Sequence, residues 1–344
     1  MDSIIQTITT GNFVWFTFAV SAVLIVFAAM KLASNGDVIA ARTKISGMFV
    51  GVLLLAGATS LPEVLTGISS VLAGEPNLAA GNFFGSSAFN MFILAILDVL
   101  GKDQRILRIS AFKHALSGSL AVFLCTLVLF FLCANPLLNT INFQIGWVGI
   151  DSLIIAAFYV FSVYLINKND SSDITTDLSE EELRSIPSLK AGIIGFFLAS
   201  LILLVATPLM VKSSATIADI TGLGTSFIGS TLVAIITSLP ELVTSIAAFK
   251  IGAPEMAIGN LFGSNMFNMF GLALTDVFFT SGRFIGAIDP SFLIAGMLGV
   301  LLTSLALVGN VTQFKRFRHM ETDSVLMAII YFAGTYLLYI QSRM

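Results

Sequence analysis

Apolar residues in this chain run on for about twenty positions at a time, and the polar and charged residues gather in the gaps between. Ten such runs can be read, at 12–33, 45–73, 78–100, 114–134, 143–166, 190–211, 224–249, 255–280, 286–308 and 323–341. At 1.5 Å of rise per residue, a helix of this length matches a hydrocarbon core about 30 Å thick. The pattern predicts an all-α polytopic membrane protein.

Composition agrees with the pattern. The chain of 344 residues is 56% hydrophobic and 11% charged, whereas a soluble domain carries about 25% charged residues. The opening MDSIIQTITTGNFVW has no basic stretch ahead of its apolar run, so a cleaved signal peptide is not expected. Of the 17 Lys and Arg residues, only Lys212, Arg283 and Arg343 fall on one side of the ten-span arrangement. The side holding the rest is expected to be cytoplasmic, which places both termini outside. Cys125 and Cys133 lie eight apart on one expected helix, roughly 12 Å along its axis, too far for a disulfide. They read as apolar fillers.

The longest polar break, residues 167–189, reads as a cytoplasmic linker between repeats at 1–166 and 190–344. Its Asp170, Asp173 and Asp177 miss the alternating spacing of a calcium-binding loop, and the sharp-turn glycine is absent. Ser179 followed by Glu182 has the spacing of a capping box.

The halves are related in sequence. Residues 58–98 and 236–276 align without a gap at an offset of 178 and share 22 of 41 positions. The copies fall on spans two and three and on spans seven and eight. Five spans separate equivalent helices, and five is odd, so the second copy is expected to enter the membrane inverted relative to the first. The arrangement expected is ten transmembrane helices as two inverted five-helix repeats, the plan that places a transporter's site near the midplane.

What the copies share is polar. Thr59, Ser60, Pro62, Glu63, Gly81, Asn82, Gly85, Ser86 and Asn90 recur as Thr237, Ser238, Pro240, Glu241, Gly259, Asn260, Gly263, Ser264 and Asn268. A proline crowds the carbonyl four residues back and loosens the helix there. Thr59 and Ser60 lie one turn before Glu63, so hydroxyls and carboxylate can face one point. Ser86 and Asn90, like Ser264 and Asn268, are four apart and share a face. Mixed carboxylate, hydroxyl and amide oxygens suit hard cations such as Ca²⁺ and Na⁺. A carboxylate in a membrane interior is costly unless neutralised. No Lys or Arg lies at these depths, so protons or bound metal ions must neutralise Glu63 and Glu241. Asp98 and Asp276, eight residues beyond the paired asparagines, read as caps or vestibule acids.

The segments GATSLPE…GNFFGSSAFN and IITSLPE…GNLFGSNMFN resemble the alpha-repeats of the sodium/calcium exchanger family, within the calcium/cation antiporter superfamily. The resemblance implies ion ligands at Glu63 and Glu241, at Thr59, Ser60, Thr237 and Ser238, and at Ser86, Asn90, Ser264 and Asn268. It adds backbone oxygens at Ala56 and Ala234, and a sliding of spans one and six past the other eight. The first copy departs from the family, reading GSS at Ser86–Ser87 where GSN is usual. Asparagine at both 90 and 268 weighs against potassium co-transport. No large calcium-sensing insert interrupts the chain.

The function expected is therefore Na⁺/Ca²⁺ antiport, with Ca²⁺/H⁺ antiport on the same scaffold as the alternative. No cofactor and no nucleic-acid partner are expected. The partners are the transported ions and the lipid bilayer, a prokaryotic inner membrane, and one chain suffices for transport. A passive channel and an intramembrane hydrolase are the competing classes. The hydrolase lacks both HExxH and GxGD, and His114 and His319 are expected in basic loops.

Overall fold

The structure, a computed structural model, describes Thr9 and residues 13–43, 57–100, 111–169, 186–250, 254–311, 316–317 and 320–343. Among these, the helices of twelve residues or more are α1 (Val14–Thr43), α2 (Leu61–Leu72), α3 (Pro76–Leu100), α4 (Ala111–Cys133) and α5 (Ile150–Asn169) in the first half. The second half has α6 (Leu189–Thr221), α7 (Leu239–Lys250), α8 (Pro254–Thr275), α9 (Phe292–Val311) and α10 (Thr322–Gln341). Their starts follow local chemistry. Pro76 and Pro254 open α3 and α8, where a missing N–H costs nothing. Ser188 caps α6, its hydroxyl accepting from Ala191 N at 3.3 Å. Gly222 ends α6 at φ 67°, a left-handed conformation that glycine adopts without strain.

Among the described residues, eight helices are long and apolar enough to cross a membrane, including a continuous run from Thr225 to Lys250 that ends in α7. Of the expected span 45–73, only the part from Gly57 onward lies in the described residues. The expected span 255–280 is present as α8, but Asn260, Ser264, Asn265 and Asn268 dilute its apolar character. Two short antiparallel ribbons qualify the all-α expectation: Gln144–Ile145 pairs with Val148–Gly149, and Arg316–Phe317 with Met320–Glu321. They precede α5 and α10, equivalent places in the two halves. Gly146, at φ 66°, makes the first turn possible.

Helix α3 is buried along nearly its whole length and packs on α2, α8, α9 and α10. The two longest helices, α1 and α6, lie along each other at the periphery. They expose Phe16, Val23 and Phe27 on one and Phe197, Leu204 and Val205 on the other, the apolar surface a hydrocarbon environment requires.

At one end of the molecule, Arg283 is buried and pairs with Asp151 at 2.5 Å. It also donates to Asn135 Oδ1 and Asn139 Oδ1, each at 2.7 Å. Beside it, Asp276 accepts from Gly149 N at 2.7 Å and Phe284 N at 2.6 Å. Asp98, at the far end of α3, accepts from Ser324 Oγ at 2.7 Å. Asp276 thus binds backbone N–H groups, as a cap does, whereas Asp98 binds a side-chain hydroxyl across to α10. Both cysteines are free. The expectation for His114 needs correction: it is buried inside α4, not in a loop, because its ring fills the space left by Gly259. His319 and the capping pair Ser179 and Glu182 lie outside the described residues, as do Asp170, Asp173 and Asp177.

Candidate ion-binding site

The two TSLPE copies break their helices in the same way. Ser60 sits at φ −89°, ψ 5° and Ser238 at φ −90°, ψ 4°, sparsely populated backbone angles between helical segments. Helices α2 and α7 start just after these breaks, so Glu63 and Glu241 stand in their first turns. The positive end of a helix dipole favours an anion there by about 0.3–1 kcal/mol.

The carboxylates are buried, Glu63 1% and Glu241 0% exposed. Each is held by the hydroxyl of the other copy. Ser60 Oγ donates to Glu241 Oε1 at 2.9 Å, and Ser238 Oγ donates to Glu63 Oε1 at 3.1 Å. Thr59 and Thr237 add hydroxyls to the same pairs, facing Glu241 and Glu63 respectively. The crossed hydrogen bonds bring the two halves together at one point.

Helices α3 and α8 form the second wall. Asn90 Nδ2 donates to Asn265 Oδ1 at 3.0 Å, and Asn268 Nδ2 donates to Ser87 Oγ at 3.4 Å. At an offset of 178, these are one interaction made twice. Ser86 Oγ lies 3.3 Å from Thr237 Oγ1, and Ser264 Oγ donates to Glu241 Oε1 at 3.5 Å. Ala234 is in the site too, and its carbonyl accepts from Ser238 N, Thr237 Oγ1 and Ser86 Oγ. Ala56 lies outside the described residues. Every other expected site residue is brought to this one region.

Three participants are missing from the expected ligand set. Asn82 accepts from Thr237 Oγ1 at 3.0 Å and donates to the Glu63 carbonyl at 3.0 Å. Asn265 and Ser87 knit α8 to α3, with Asn265 Nδ2 also donating to Ser87 O at 3.2 Å. Asn82 could have been found from its recurrence as Asn260. Ser87 and Asn265 occupy a position where the copies differ, so a search for identity passes over them.

Glycines bring the backbones close. A Cβ on Gly81 would lie 2.8 Å from Ser230 N, and one on Gly85 would lie 2.6 Å from Ser230 Cα. Both press on the π-helical turn Gly229–Val233, an insertion of the kind found at functional sites.

The unsatisfied atoms show what the arrangement can do. Glu63 Oε2, Glu241 Oε2, Asn90 Oδ1 and Asn268 Oδ1 are buried and accept no hydrogen bond. A buried polar atom left unpaired costs about 1–3 kcal/mol, more when charged. Two carboxylate and two amide oxygens, in equivalent pairs, form an oxygen-only donor set fitted to a hard cation. Among the described residues, no group of three or more His, Cys, Asp or Glu is placed to hold a metal ion, so the neutral oxygens must complete any coordination shell.

Comparison with known proteins decides the family. Residues 13–167 and 191–340 each match the family described as sodium/calcium exchanger protein. The chain belongs to this family. It is a membrane antiporter for Ca²⁺ and another cation, and not an enzyme. A protein named as an antiporter, CaxA of Alkalimonas amylolytica, is 27% identical over 319 residues, 90% of this chain and 94% of its own. Inner membrane protein YrbG of Escherichia coli (strain K12) is 27% identical over 274 residues, 79% of this chain and 80% of its own. Among solved structures, the sodium-calcium exchanger NCX_Mj superposes with a TM-score of 0.56 at 21% identity, covering 94% of this chain and 97% of its own. The H⁺/Ca²⁺ exchanger CAX superposes with a TM-score of 0.62 at 15% identity, covering 99% and 91%. At these identities the structures speak for the shared fold.

Proposed function

We propose that this exchanger carries Na⁺ against Ca²⁺ by alternating access, with the ions bound mid-membrane between the second, third, seventh and eighth of ten spans. The spans are two inverted five-helix repeats, 1–166 and 190–344, joined by the linker at 167–189. The ligands are Glu63 and Glu241 with Thr59, Ser60, Thr237 and Ser238, completed by Ser86, Asn90, Ser264 and Asn268 and by the Ala56 and Ala234 carbonyls. The crossed serine–glutamate pair carries the reading, because it leaves one oxygen of each acid unpaired beside two unpaired amide oxygens. Ser86 Oγ and Thr237 Oγ1 now bond the Ala234 carbonyl; turning away from it would release that oxygen to an ion.

Two carboxylates supply about −2 of charge, which one Ca²⁺ or several Na⁺ can balance, so the ions compete. If only a compensated site passes between inward and outward states, competition becomes exchange. If more than two Na⁺ exchange for one Ca²⁺, each cycle moves net charge, worth about 2.3 kcal/mol per 100 mV for each unit. The neutral oxygens favour Na⁺ over H⁺ as the counter-ion, since a proton on each glutamate would leave the asparagine oxygens unmatched. Proton exchange is the second reading, favoured by the burial of both acids without a basic partner and by the fold shared with CAX. All the ligands come from one chain, so a monomer suffices. The inner membrane, with both termini outside, is the location the charge distribution and the name of YrbG support.

The test is Ca²⁺ uptake into proteoliposomes. Uptake driven by an outward Na⁺ gradient is the expected result. Uptake driven by a pH gradient alone, with none from Na⁺, would replace the first reading by the second.

A further inference from the structure

Away from the crossed glutamates, a cavity of about 210 Å³ opens between α1, α7 and α8. Asp37, Thr244, Ser245 and Asn260 supply its polar lining. Asp37 is exposed at the rim, whereas Ser245 and Asn260 are buried, 0% and 2% exposed. Their Ser245 Oγ and Asn260 Oδ1 atoms have no hydrogen-bond partner. Asn260 Nδ2 is turned to Thr244 Oγ1 at 3.4 Å. Thr244 is three residues beyond Glu241, so the cavity floor continues into the site.

We propose that this cavity is a second, weaker cation site, which takes a partly hydrated Ca²⁺ at the mouth before it passes to Glu241. The proposal rests on the antiport reading above. Its chemistry differs from that of the central site: one carboxylate and two or three neutral oxygens, open to water. A hard divalent ion can keep most of its water there, using Asp37 for charge and the unpaired oxygens for direction. Asp37 lies five residues before Arg42 on α1, and Lys250 ends α7. The mouth therefore opens on the face that the distribution of basic residues assigns to the cytoplasm.

Mn²⁺, an oxygen-seeking ion visible by electron paramagnetic resonance, tests this without transport. The full chain carrying Glu63→Gln and Glu241→Gln should retain one weak Mn²⁺ site, and adding Asp37→Asn should remove it. In sided proteoliposomes, Asp37→Asn alone should raise the KM for Ca²⁺ at the Arg42 face about fivefold or more, leave the other face unchanged, and keep this difference in added choline chloride. Mn²⁺ binding that Asp37→Asn does not alter overturns the proposal, whatever the exchange assay shows. A KM that is unchanged, shifted equally at both faces, or restored by choline chloride does the same. Exchange by the wild-type chain with an unaltered Asp37→Asn variant would sink this cavity alone; absence of exchange with Asp37-dependent Mn²⁺ binding would sink the antiport reading alone.

Discussion

Asp151 and the pair Glu63 and Glu241 are equally withdrawn from solvent, yet the chain treats them in opposite ways. Asp151 meets the guanidinium of Arg283, itself braced by two asparagines. The glutamates receive serine and threonine hydroxyls, and each keeps one oxygen unpaired. A built-in cation makes a buried acid part of the scaffold. Withholding one leaves the acid dependent on something that can arrive and leave. On the proposed function, the contrast separates structural charge from working charge within a single fold.

The largest expected effect is at the working pair. Glu63→Gln or Glu241→Gln should each reduce Ca²⁺ exchange by about 100-fold or more, since removing one buried charge costs several kcal/mol of cation binding. The same variants should fold normally in ion-free buffer, because an amide costs less than a carboxylate to bury. Ca²⁺ at 100 times its Kd should stabilise the wild-type chain by about 2.7 kcal/mol and these variants not at all, read as a shift in Tm. Arg283→Gln should do the reverse. It leaves Asp151 buried without its cation and should cost about 3–5 kcal/mol of stability in thermal unfolding, with Ca²⁺ binding intact in the surviving folded fraction.

Smaller effects compare the two copies of the repeat. Gly81→Ala pushes a methyl to 2.8 Å from the Ser230 backbone N, whereas its counterpart Gly259→Ala meets only the His114 ring, 3.0 Å away. The first should cost about 1–3 kcal/mol and the second less, because a ring can give way where backbone cannot. Melting curves in detergent would read the difference. The smallest effect expected is at Glu75, in the turn between α2 and α3. Burial, and then the charge of Asp219, hold its carboxyl above the usual range. The folded state therefore binds its proton more tightly than the unfolded state. That contribution is present below the ordinary carboxylate pKa and lost as pH rises through the folded value. Glu75→Gln should match the wild type at acid pH and gain a few tenths of a kcal/mol above that window, a small gain because the group is only partly buried and solvent screens it.

Much of this was readable from residue letters alone. A gapless repeat rich in Thr, Ser, Glu and Asn picked out residues that the fold gathers in one region, because packing alone does not preserve oxygens. The helix breaks followed from Pro62 and Pro240. What the letters could not show was the crossing. Ser60 serves Glu241 and Ser238 serves Glu63, a long-range pairing that no local spacing encodes. Nor could they show that Asn82 and Asn260, identical in sequence, do different work. Asn82 is tied to Thr237 and the Glu63 carbonyl, while Asn260 turns an unpaired oxygen to a cavity. Residues at equivalent positions of the two copies therefore need not have equivalent surroundings, and the proposed alternating access would draw on that inequality. His114 was misread because basic neighbours suggested a loop, while the gap beside Gly259 was invisible without packing.

Calorimetric titration of Ca²⁺ into the purified chain reaches the central claim most directly. We expect one high-affinity Ca²⁺ per chain, displaced by Na⁺ and lost in both Glu63→Gln and Glu241→Gln. Undiminished binding in either variant, or binding that Na⁺ leaves untouched, would contradict a shared site built from the two acids.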